Sequence, residues 1–418
     1  MKTNNVECIH FGRDVKRNEK EGTPMPPEIM PSPQPGRRPS AIASVLTLSN
    51  LKVRAIFLQV LVVGCVIGIA WFLVTTTRHN LESRSIATGF GFLNRQAGIP
   101  IGEAILAYTP ADTYGRALAV GLLNTVKVAL LGIVFATICG TAIGIARLSK
   151  NWLLSRLAGF YVEVTRDIPL LLQLVFWYSV LQGLPYAREA LSPFPGAFLS
   201  NRGLYLPSIN LGFLHGLALL ALIVAGGLAL RNALASPLAR SKRFTFASIS
   251  AFVLAAALFF SGGVPEVDIP ALSGFNFRGG YYVSPEFFAL LFGLVIYTAA
   301  FIAEIVRAGV LAVRNGQWEA GFALGLSRAQ ILRKVVVPQA LRIIVPPLTS
   351  QYVNLTKNSS LAVAIGYQET VSIANTTLNQ TGQAIEVIAL IMAAYLIVSL
   401  SISLMMNWYD QAIQLKAR

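Results

Sequence analysis

Charge is scarce in this sequence. Only 13% of its 418 residues are charged, whereas 54% are hydrophobic, and the mean hydropathy is +0.60. A soluble globular chain carries about 25% charged residues. Half of that fraction leaves too little polar surface to cover a body surrounded by water, which argues against a large soluble protein with many buried helices. We therefore expect an all-α integral membrane protein.

Cysteine and histidine are also rare. The three of each share no motif spacing: Cys8, Cys65, Cys139, His10, His79 and His215. This scatter predicts neither a disulfide framework nor a metal site. The phosphate-binding pattern G-x-x-x-x-G-K-[ST] is absent too. If the protein works with ATP, the ATPase must therefore be another chain, and we expect no cofactor bound directly to this one. The first apolar run begins after residue 54, which is too deep for a cleaved signal peptide.

Long apolar runs are what the sequence has in abundance. A helix needs about 20 apolar residues to cross a hydrocarbon layer of roughly 30 Å. Eight runs are long enough to predict about eight transmembrane helices, at about 55–75, 118–146, 157–181, 211–230, 246–262, 287–313, 341–363 and 385–407.

Composition suggests how the chain is divided. Residues 1–50 are rich in proline and charge, which predicts a disordered cytoplasmic tail, either unselected or regulatory. Residues 51–117 would hold an extra first helix and an extracytoplasmic loop. The main transmembrane domain is predicted at 118–410. It would include an inserted helix pair at about 211–262 and a basic loop at 314–340. A cytoplasmic C-terminus would follow at 411–418.

Basic residues concentrate in every second loop and beside both ends of the membrane region. By the positive-inside rule these loops and both termini are cytoplasmic. The outer loop at 76–117 departs from the rule, but it is longer and its arginines are diluted by acidic residues. The net charge of +15 is then explained by cytoplasmic loops that meet anionic lipid, and not by nucleic-acid binding. The outer loops at 182–210 and 263–286 contain many turn residues and are predicted to be irregular.

The loop from Gly316 to Pro338 has its own helical pattern. Trp318 and Phe322 recur at helical spacing, and Gly325 follows where a helix C-terminal glycine is favoured. Ser327 with Gln330 fits a capping box, which predicts a second short helix at an angle before Pro338 restarts the chain. The aromatic residues are candidate anchors for a partner protein. The pattern alone leaves open whether this loop docks into a partner or lies on the lipid interface.

The same loop resembles the EAA motif of binding-protein-dependent ABC importer permeases. That motif reads Glu-Ala-Ala, three residues, Gly, nine residues, then a hydrophobic pair and Pro. Its positions are occupied here by Glu319, Ala320, Gly321, Gly325, Val335, Val337 and Pro338. The departures are Gly321 in the third position and valine for the usual isoleucine and leucine. The resemblance implies a cytoplasmic coupling helix, including Trp318, that docks on an ATPase subunit.

Two further stretches, Thr165–Gln173 and Ala303–Val310, look like the polar-amino-acid branch of these permeases. The resemblance covers about 118–181 and 287–410, which matches a five-helix type I importer (MetI-like) core. The enlarged layout resembles a permease of the general L-amino-acid or glutamate/glutamine/aspartate/asparagine systems. It implies an ABC ATPase dimer, a second permease in a heterodimer, a periplasmic amino-acid-binding protein and a bacterial inner membrane.

Ionisable residues inside spans are costly and usually face a pathway or a partner. Glu304 and Arg307 lie three residues apart on one helix face, so they either contact substrate or pair with each other. Lys357 lies in a polar stretch that has no reason to face lipid. Lys127 is expected to snorkel to the outer interface. The other tentative path or gate residues are Gln173, Thr356 and Ser359.

Together these features predict a non-catalytic permease subunit of an ATP-driven importer of L-amino acids. The alternative is a secondary amino-acid transporter driven by an ion gradient. That class predicts internal repeats and paired broken helices, and we find no matching pair of interrupted spans. A membrane scaffold would leave the polar stretch around Lys357 unexplained.

Overall fold

The computed structural model describes residues 51–83, 88–210, 213–234, 242–261 and 266–413. The predicted disordered tail at 1–50 and the end of the C-terminus lie outside the described residues. The described part is mostly helical. The α-helices are α1 (Leu51–Ser83), α2 (Tyr114–Arg147), α3 (Trp152–Asp167), α4 (Leu170–Gln182), α5 (Phe213–Leu234), α6 (Lys242–Ser261), α7 (Pro285–Leu311), α8 (Asn315–Ala323), α9 (Arg328–Ile331), α10 (Val337–Asn358), α11 (Thr370–Thr381) and α12 (Ala384–Ile413).

Four helices of the described part, α1, α2, α7 and α12, are long and apolar enough to cross a membrane, and the bent pair α3–α4 makes a fifth candidate. The shorter apolar stretches of α5 and α6 fall below that length. The seventh predicted span is α10 with the turn after it, and it is less apolar because it contains Arg342 and Lys357. The predominantly helical membrane fold is confirmed, whereas the count of eight spans remains a prediction.

The third predicted run, 157–181, is two helices and not one. The chain bends by 104° between α3 and α4. Ile168 is extended, as the residue before a proline usually is, and Pro169 has no N–H to continue the helix. The Gln173 side chain lies across this bend. Its Nε2 donates to the carbonyl oxygens of Thr165, at 2.9 Å, and Ile168, at 3.0 Å.

Helices α2 and α7 pack closely along their length. Gly140 and Gly144 lie one turn apart on α2 and face α7. A Cβ atom on Gly140 would lie 2.6 Å from the Cβ of Ile302, and one on Gly144 would lie 2.7 Å from the carbonyl oxygen of Ala303. Small residues four apart allow two helix backbones to approach in this way. The pair forms the centre of the bundle, against which α3, α4, α10 and α11 also pack.

The outer loops that were predicted to be irregular contain strands, so that prediction was wrong. A three-stranded antiparallel sheet has the order β1 (Phe198–Ser200), β2 (Gly203–Leu206), β7 (Tyr281–Val283). Two further antiparallel pairs join β3 (Ser208–Asn210) to β4 (Glu266–Asp268) and β5 (Ala271–Ser273) to β6 (Asn276–Arg278). Each strand has three or four residues, which is too short for an alternating pattern to stand out between prolines and glycines.

The insert of α5 and α6 lies between β3 and β4, and these two helices pack against each other. The His215 ring of α5 meets the Phe259 ring of α6 edge-on, with 5.1 Å between centroids. The loop that joins them, 235–241, is outside the described residues.

The chain divides into two compact units, residues 1–80 and 81–418. In the first, α1 is apolar and exposed along most of its described length. In the second, the segment before α2 is packed and not a free loop. Phe92 is buried beside Tyr114, and the Ala97 N–H donates to the Asp112 carbonyl at 2.8 Å. The predicted domain division at residue 117 stays a prediction.

Candidate coupling site and substrate path

Helix α8 lies in the predicted coupling loop, and backbone hydrogen bonds cap its C-terminal end. Gly325 has φ +71°, the left-handed conformation that glycine adopts at low cost. Its N–H donates to the Phe322 carbonyl at 2.9 Å, and the Leu326 N–H donates to the Gly321 carbonyl at 3.1 Å. These two bonds form a Schellman motif and satisfy the last carbonyls of the helix. The predicted role of Gly325 as a helix-ending glycine is confirmed.

Ser327 and Gln330 form the predicted capping box. The Ser327 N–H donates to Gln330 Oε1 at 2.8 Å, and the Gln330 N–H donates to Ser327 Oγ at 3.4 Å. The helix that follows differs from the prediction. It does not stop at Pro338 but continues from α9 through a π-helical turn, Leu332–Val336, into α10. The Val337 N–H reaches back five residues to the Leu332 carbonyl, and this wider turn carries the chain past a proline without a break.

The faces of α8 separate an inner surface from an outer one. Trp318 is half-buried and packs on a core cluster formed with α7, α10 and α12. Gly321 is buried because Ile331 lies on it, and a Cβ there would stand 2.7 Å from Ile331 Cγ1. Phe322 is 53% exposed and Leu324 is 79% exposed. Of the two predicted aromatic anchors, only Phe322 faces outward.

Polar contacts fix α8 to the bundle. Gln339 Nε2 of α10 donates to Gln317 Oε1 of α8 at 3.1 Å. Glu319 and Ala320 remain exposed on the outer surface, while Pro338 is half-buried at the start of α10. The outer face of α8 is therefore available to a partner, and its inner face is tied to α10.

Glu304 and Arg307 pair with each other, which was one of the two expectations for them. Arg307 Nη2 lies 2.5 Å from Glu304 Oε1, and Arg147 at the end of α2 also contacts Glu304 Oε2. The three side chains are 16% to 30% exposed. They join the C-terminal end of α2 to the last turns of α7, the helix that leads into α8. The carboxylate of Glu304 is therefore already occupied by two guanidinium groups.

The polar stretch near Lys357 divides into buried and exposed residues. Thr356 and Ser359 are fully buried, and their hydroxyls donate to the carbonyls of Tyr352 at 2.9 Å and Thr356 at 2.7 Å. Lys357 is exposed and forms no ion pair with another described residue. Ser350 and Asn354 are exposed on the same face of α10, seven and three residues earlier. This gives α10 a polar stripe whose first member, Ser350, sequence reasoning missed.

Lys127 pairs with Glu103 of the predicted outer segment, and its expected position near the membrane interface stays a prediction. Its Nζ lies 2.9 Å from Glu103 Oε2 and 3.9 Å from the centroid of the Phe287 ring. The other carboxylate oxygen of Glu103 accepts from the Ser284 N–H at 2.7 Å. The partner comes from a loop 24 residues earlier, a separation that hides the pair from inspection of the helix alone.

Glu369 is a buried carboxylate that sequence reasoning did not single out. It is fully buried and caps α11 by accepting from the N–H groups of Val371, at 2.8 Å, and Ser372, at 3.0 Å. Its other oxygen accepts from the hydroxyls of Thr125 on α2, at 3.2 Å, and Tyr395 on α12, at 2.8 Å. One carboxylate therefore joins three helices. The only local signal is an acidic residue directly before a helix.

Comparison with known proteins identifies the class. The family model for "Binding-protein-dependent transport system inner membrane component" matches residues 219–416. The chain is 49% identical over 390 residues to the putative amino-acid ABC transporter permease protein YhdX of Escherichia coli (strain K12), which covers 91% of this chain and 99% of that protein. It is 46% identical over 376 residues to the general L-amino acid transport system permease protein AapQ of Rhizobium johnstonii, covering 88% and 94%. It is 38% identical over 413 residues to the glutamate/glutamine/aspartate/asparagine transport system permease protein BztB of Rhodobacter capsulatus, covering 89% and 96%.

The chain therefore belongs to the family of binding-protein-dependent transport system inner membrane components. This confirms the resemblance drawn from the loop between Glu319 and Pro338. It makes the chain a multi-pass membrane subunit of a transport system.

Proposed function

We propose that this chain is the permease subunit of an ABC importer that moves L-amino acids across the inner membrane. The observation that carries the proposal is the outer face of α8. It presents exposed Phe322 and Leu324 on a short helix whose backbone is closed by Gly325. Two exposed apolar side chains on a rigid support suit docking into a groove of a partner protein. Relatives named as amino-acid permeases support the choice of cargo.

In this proposal the partner is an ABC ATPase dimer, which hydrolyses ATP while this chain catalyses no reaction and binds no cofactor. Closure of the dimer would push on α8. Gly321 packed against Ile331, and Gln317 bonded to Gln339, would pass that movement to α10. Packed elements with two discrete arrangements convert such a push into a switch between inward-open and outward-open states.

The proposed substrate path runs beside α10. Exposed Ser350, Asn354 and Lys357 share one face of that helix, and such a face is unfavourable against lipid. A second permease in a heterodimer would cover this face and complete the path. Lys357 would meet the carboxylate of the amino acid. Thr356, Ser359 and Gln173 would support the path walls, since their polar groups are bonded to backbone. Glu304 and Arg307 would belong to a gate, where their ion pairs hold α2 and α7 together.

The orientation follows from the same proposal. With α8 and both termini in the cytoplasm, the strands between α4 and α7 lie on the extracytoplasmic side, because α7 has 27 residues and separates them by roughly 40 Å at 1.5 Å per residue. There a periplasmic binding protein would deliver the amino acid.

Reconstitution tests the proposal. The chain, its candidate second permease and ATPase are placed in liposomes with the binding protein outside, and uptake of radiolabelled L-glutamine and L-glutamate is followed. We expect uptake only with ATP inside. Uptake that ignores ATP but follows an imposed proton or sodium gradient would favour a secondary transporter and overturn the proposal.

A further inference from the structure

A polar cavity lies at the sheet end of the molecule, far from α8. Its volume is about 710 Å³, within the range of roughly 300–1,000 Å³ that small-molecule sites span. Its floor is formed by the ends of α4 and α7, and its walls by the β1–β2 turn, β6 and β7. None of the residues predicted from the sequence as path, gate or coupling residues lines it.

The cavity brings together one positive and one negative side chain. Arg202, in the turn between β1 and β2, is exposed and forms no ion pair with any described residue. Glu286, in the first turn of α7, also lines the cavity and is half-buried. One of its oxygens accepts from the Tyr178 hydroxyl at 3.1 Å, and no described cation neutralises it.

The wall between these charges is rigid and neutral. The Tyr282 hydroxyl donates to the Arg202 carbonyl at 3.1 Å, which fixes the turn that carries the guanidinium. Burial, with smaller effects from Tyr205, Glu286 and Glu103, raises the pKa of Tyr282 to about 12, further above physiological pH than the ordinary value. Tyr205 donates to Asn276 Oδ1 at 2.9 Å, and its ring lies 5.0 Å from that of Tyr282.

Glycine is required at the edge of this cavity. Gly279 and Gly280 have φ +81° and +69°, and a Cβ on Gly280 would lie 2.4 Å from the Leu206 carbonyl oxygen. The Gly280 N–H donates to Asp268 Oδ2 at 2.8 Å. The β6–β7 turn is therefore held in one conformation, and the cavity is a built feature of the sheet end.

A second cavity of about 110 Å³ adjoins the first and shares two lining residues with it. Tyr282 and Glu286 line both, and the smaller one is also lined by Tyr367 and Gln368 ahead of α11. Glu286 thus lies where the outer cavity meets the bundle. A ligand held at Glu286 would stand at the entrance to the helices.

We propose that this cavity binds free zwitterionic α-amino acid, with Arg202 receiving the carboxylate and Glu286 receiving the ammonium group. A guanidinium and a carboxylate on a neutral polar wall match the two charges that every α-amino acid carries at neutral pH. The inference rests on the proposed function and adds a receiving site to it, on the extracytoplasmic side and separate from the path along α10. The side chain of the amino acid meets mainly neutral groups, so the site accepts a broad range of amino acids.

Equilibrium binding tests the site directly. The purified permease–ATPase complex is placed in nanodiscs without nucleotide and without binding protein, and binding of radiolabelled L-glutamine is measured. We expect saturable binding that L-glutamate and L-arginine compete away. The decarboxylated and deaminated analogues of glutamine should compete at least tenfold less well, because each lacks one of the two charges.

Two substitutions and one matched control assign the binding to this cavity. We expect R202Q and E286Q each to raise the dissociation constant at least tenfold. R278Q removes an exposed arginine of the same sheet end that does not line the cavity. This control should stay within about twofold of the unmodified complex. If E286Q does not fold, R202Q decides.

Three results would overturn the inference: no saturable binding, equal competition by the singly charged analogues, or unchanged affinity in R202Q. Uptake driven by ATP is measured on the same preparations with binding protein present. Uptake without cavity binding would remove the receiving site and leave the importer function intact. Cavity binding without ATP-driven uptake would instead overturn the proposed function.

Discussion

The two ends of α7 are built in opposite ways. The coupling end consists of α8, the glycine cap that ends it and the capping box that follows. All of them are formed by one short segment, residues 315–331. At the sheet end, Leu204 pairs with Val283, 79 positions later in the chain, and the α5–α6 insert lies between them. The first is local and exposes apolar side chains, whereas the second is long-range and lines an open polar cavity.

This difference indicates a division of labour. A coupling element must present one fixed shape to a partner, and a short helix with closed caps provides it at low entropic cost. The groups that line the polar cavity here come from several segments, which long-range strand pairing brings together. We therefore expect substitutions at the coupling end to uncouple ATPase and transport, and substitutions at the sheet end to leave ATPase binding unchanged.

The largest effect is expected at Gly325. Valine there must adopt φ +71°, which is strongly unfavourable for a β-branched residue, so the cap of α8 should open. We expect Gly325→Val to lower ATPase copurification and ATP-driven uptake at least tenfold, and Gly325→Asn to lie between it and the unmodified protein because asparagine tolerates this conformation. Gly316→Ala is the matched control, since nothing lies within 4 Å of its added Cβ. Normal uptake in Gly325→Val would contradict the docking role.

A smaller effect is expected at Gly321, where a larger residue would clash with the Ile331 side chain and would not strain the backbone. A methyl group there would meet Ile331 at 2.7 Å, so Gly321→Ala should weaken the α8–α9 contact by about 1–3 kcal/mol. Ile331→Ala in the same chain should restore part of the ATPase copurification by making room. If the double variant loses as much ATPase copurification as the two single variants lose together, the packing explanation fails.

A substitution at Lys357 tests the proposed substrate path along α10 and leaves the coupling end unchanged. We expect Lys357→Met to slow uptake several-fold while ATPase copurification stays normal, because the residue is exposed on α10 and away from α8. Thr356→Val is the matched control. Its hydroxyl is buried and bonded to the Tyr352 carbonyl, so the change should cost about 1 kcal/mol of stability and little uptake. Equal losses of uptake in the two variants would argue against a path role for Lys357.

The smallest effect is expected for Glu304→Gln. The carboxylate holds Arg147 and Arg307, but all three side chains are partly exposed, so the loss of stability should be about 1 kcal/mol or less. Thermal unfolding in detergent measures it, and the loss should shrink at high salt. Glu163→Gln, at an exposed position, should not change the unfolding temperature. A loss of uptake in Glu304→Gln with unchanged stability would instead point to substrate contact.

Local features of this chain could be predicted from the sequence, and long-range ones could not. Gly325, Ser327 and Gln330 were predicted correctly because a cap is decided within a few residues. The bend at Pro169 was missed because hydrophobicity continues across it. Glu369 was missed because its partner Thr125 lies 244 residues away.

The resemblance to a known family predicted more about function than the spacing of residues did. The spacing around Trp318 and Phe322 predicted a short amphipathic helix but left lipid and protein partners open. In the structure Trp318 is half-buried against the core, whereas Phe322 is mostly exposed. The spacing could not separate them, because residues four apart are predicted to lie on the same helix face.

The most direct test of the account measures ATP hydrolysis and amino-acid uptake in the same proteoliposomes, with and without liganded binding protein. The account predicts that binding protein stimulates both together, and that Gly325→Val lowers uptake at least tenfold while R278Q leaves it unchanged. Uptake that continues without ATP, or that stays normal in Gly325→Val, would contradict it.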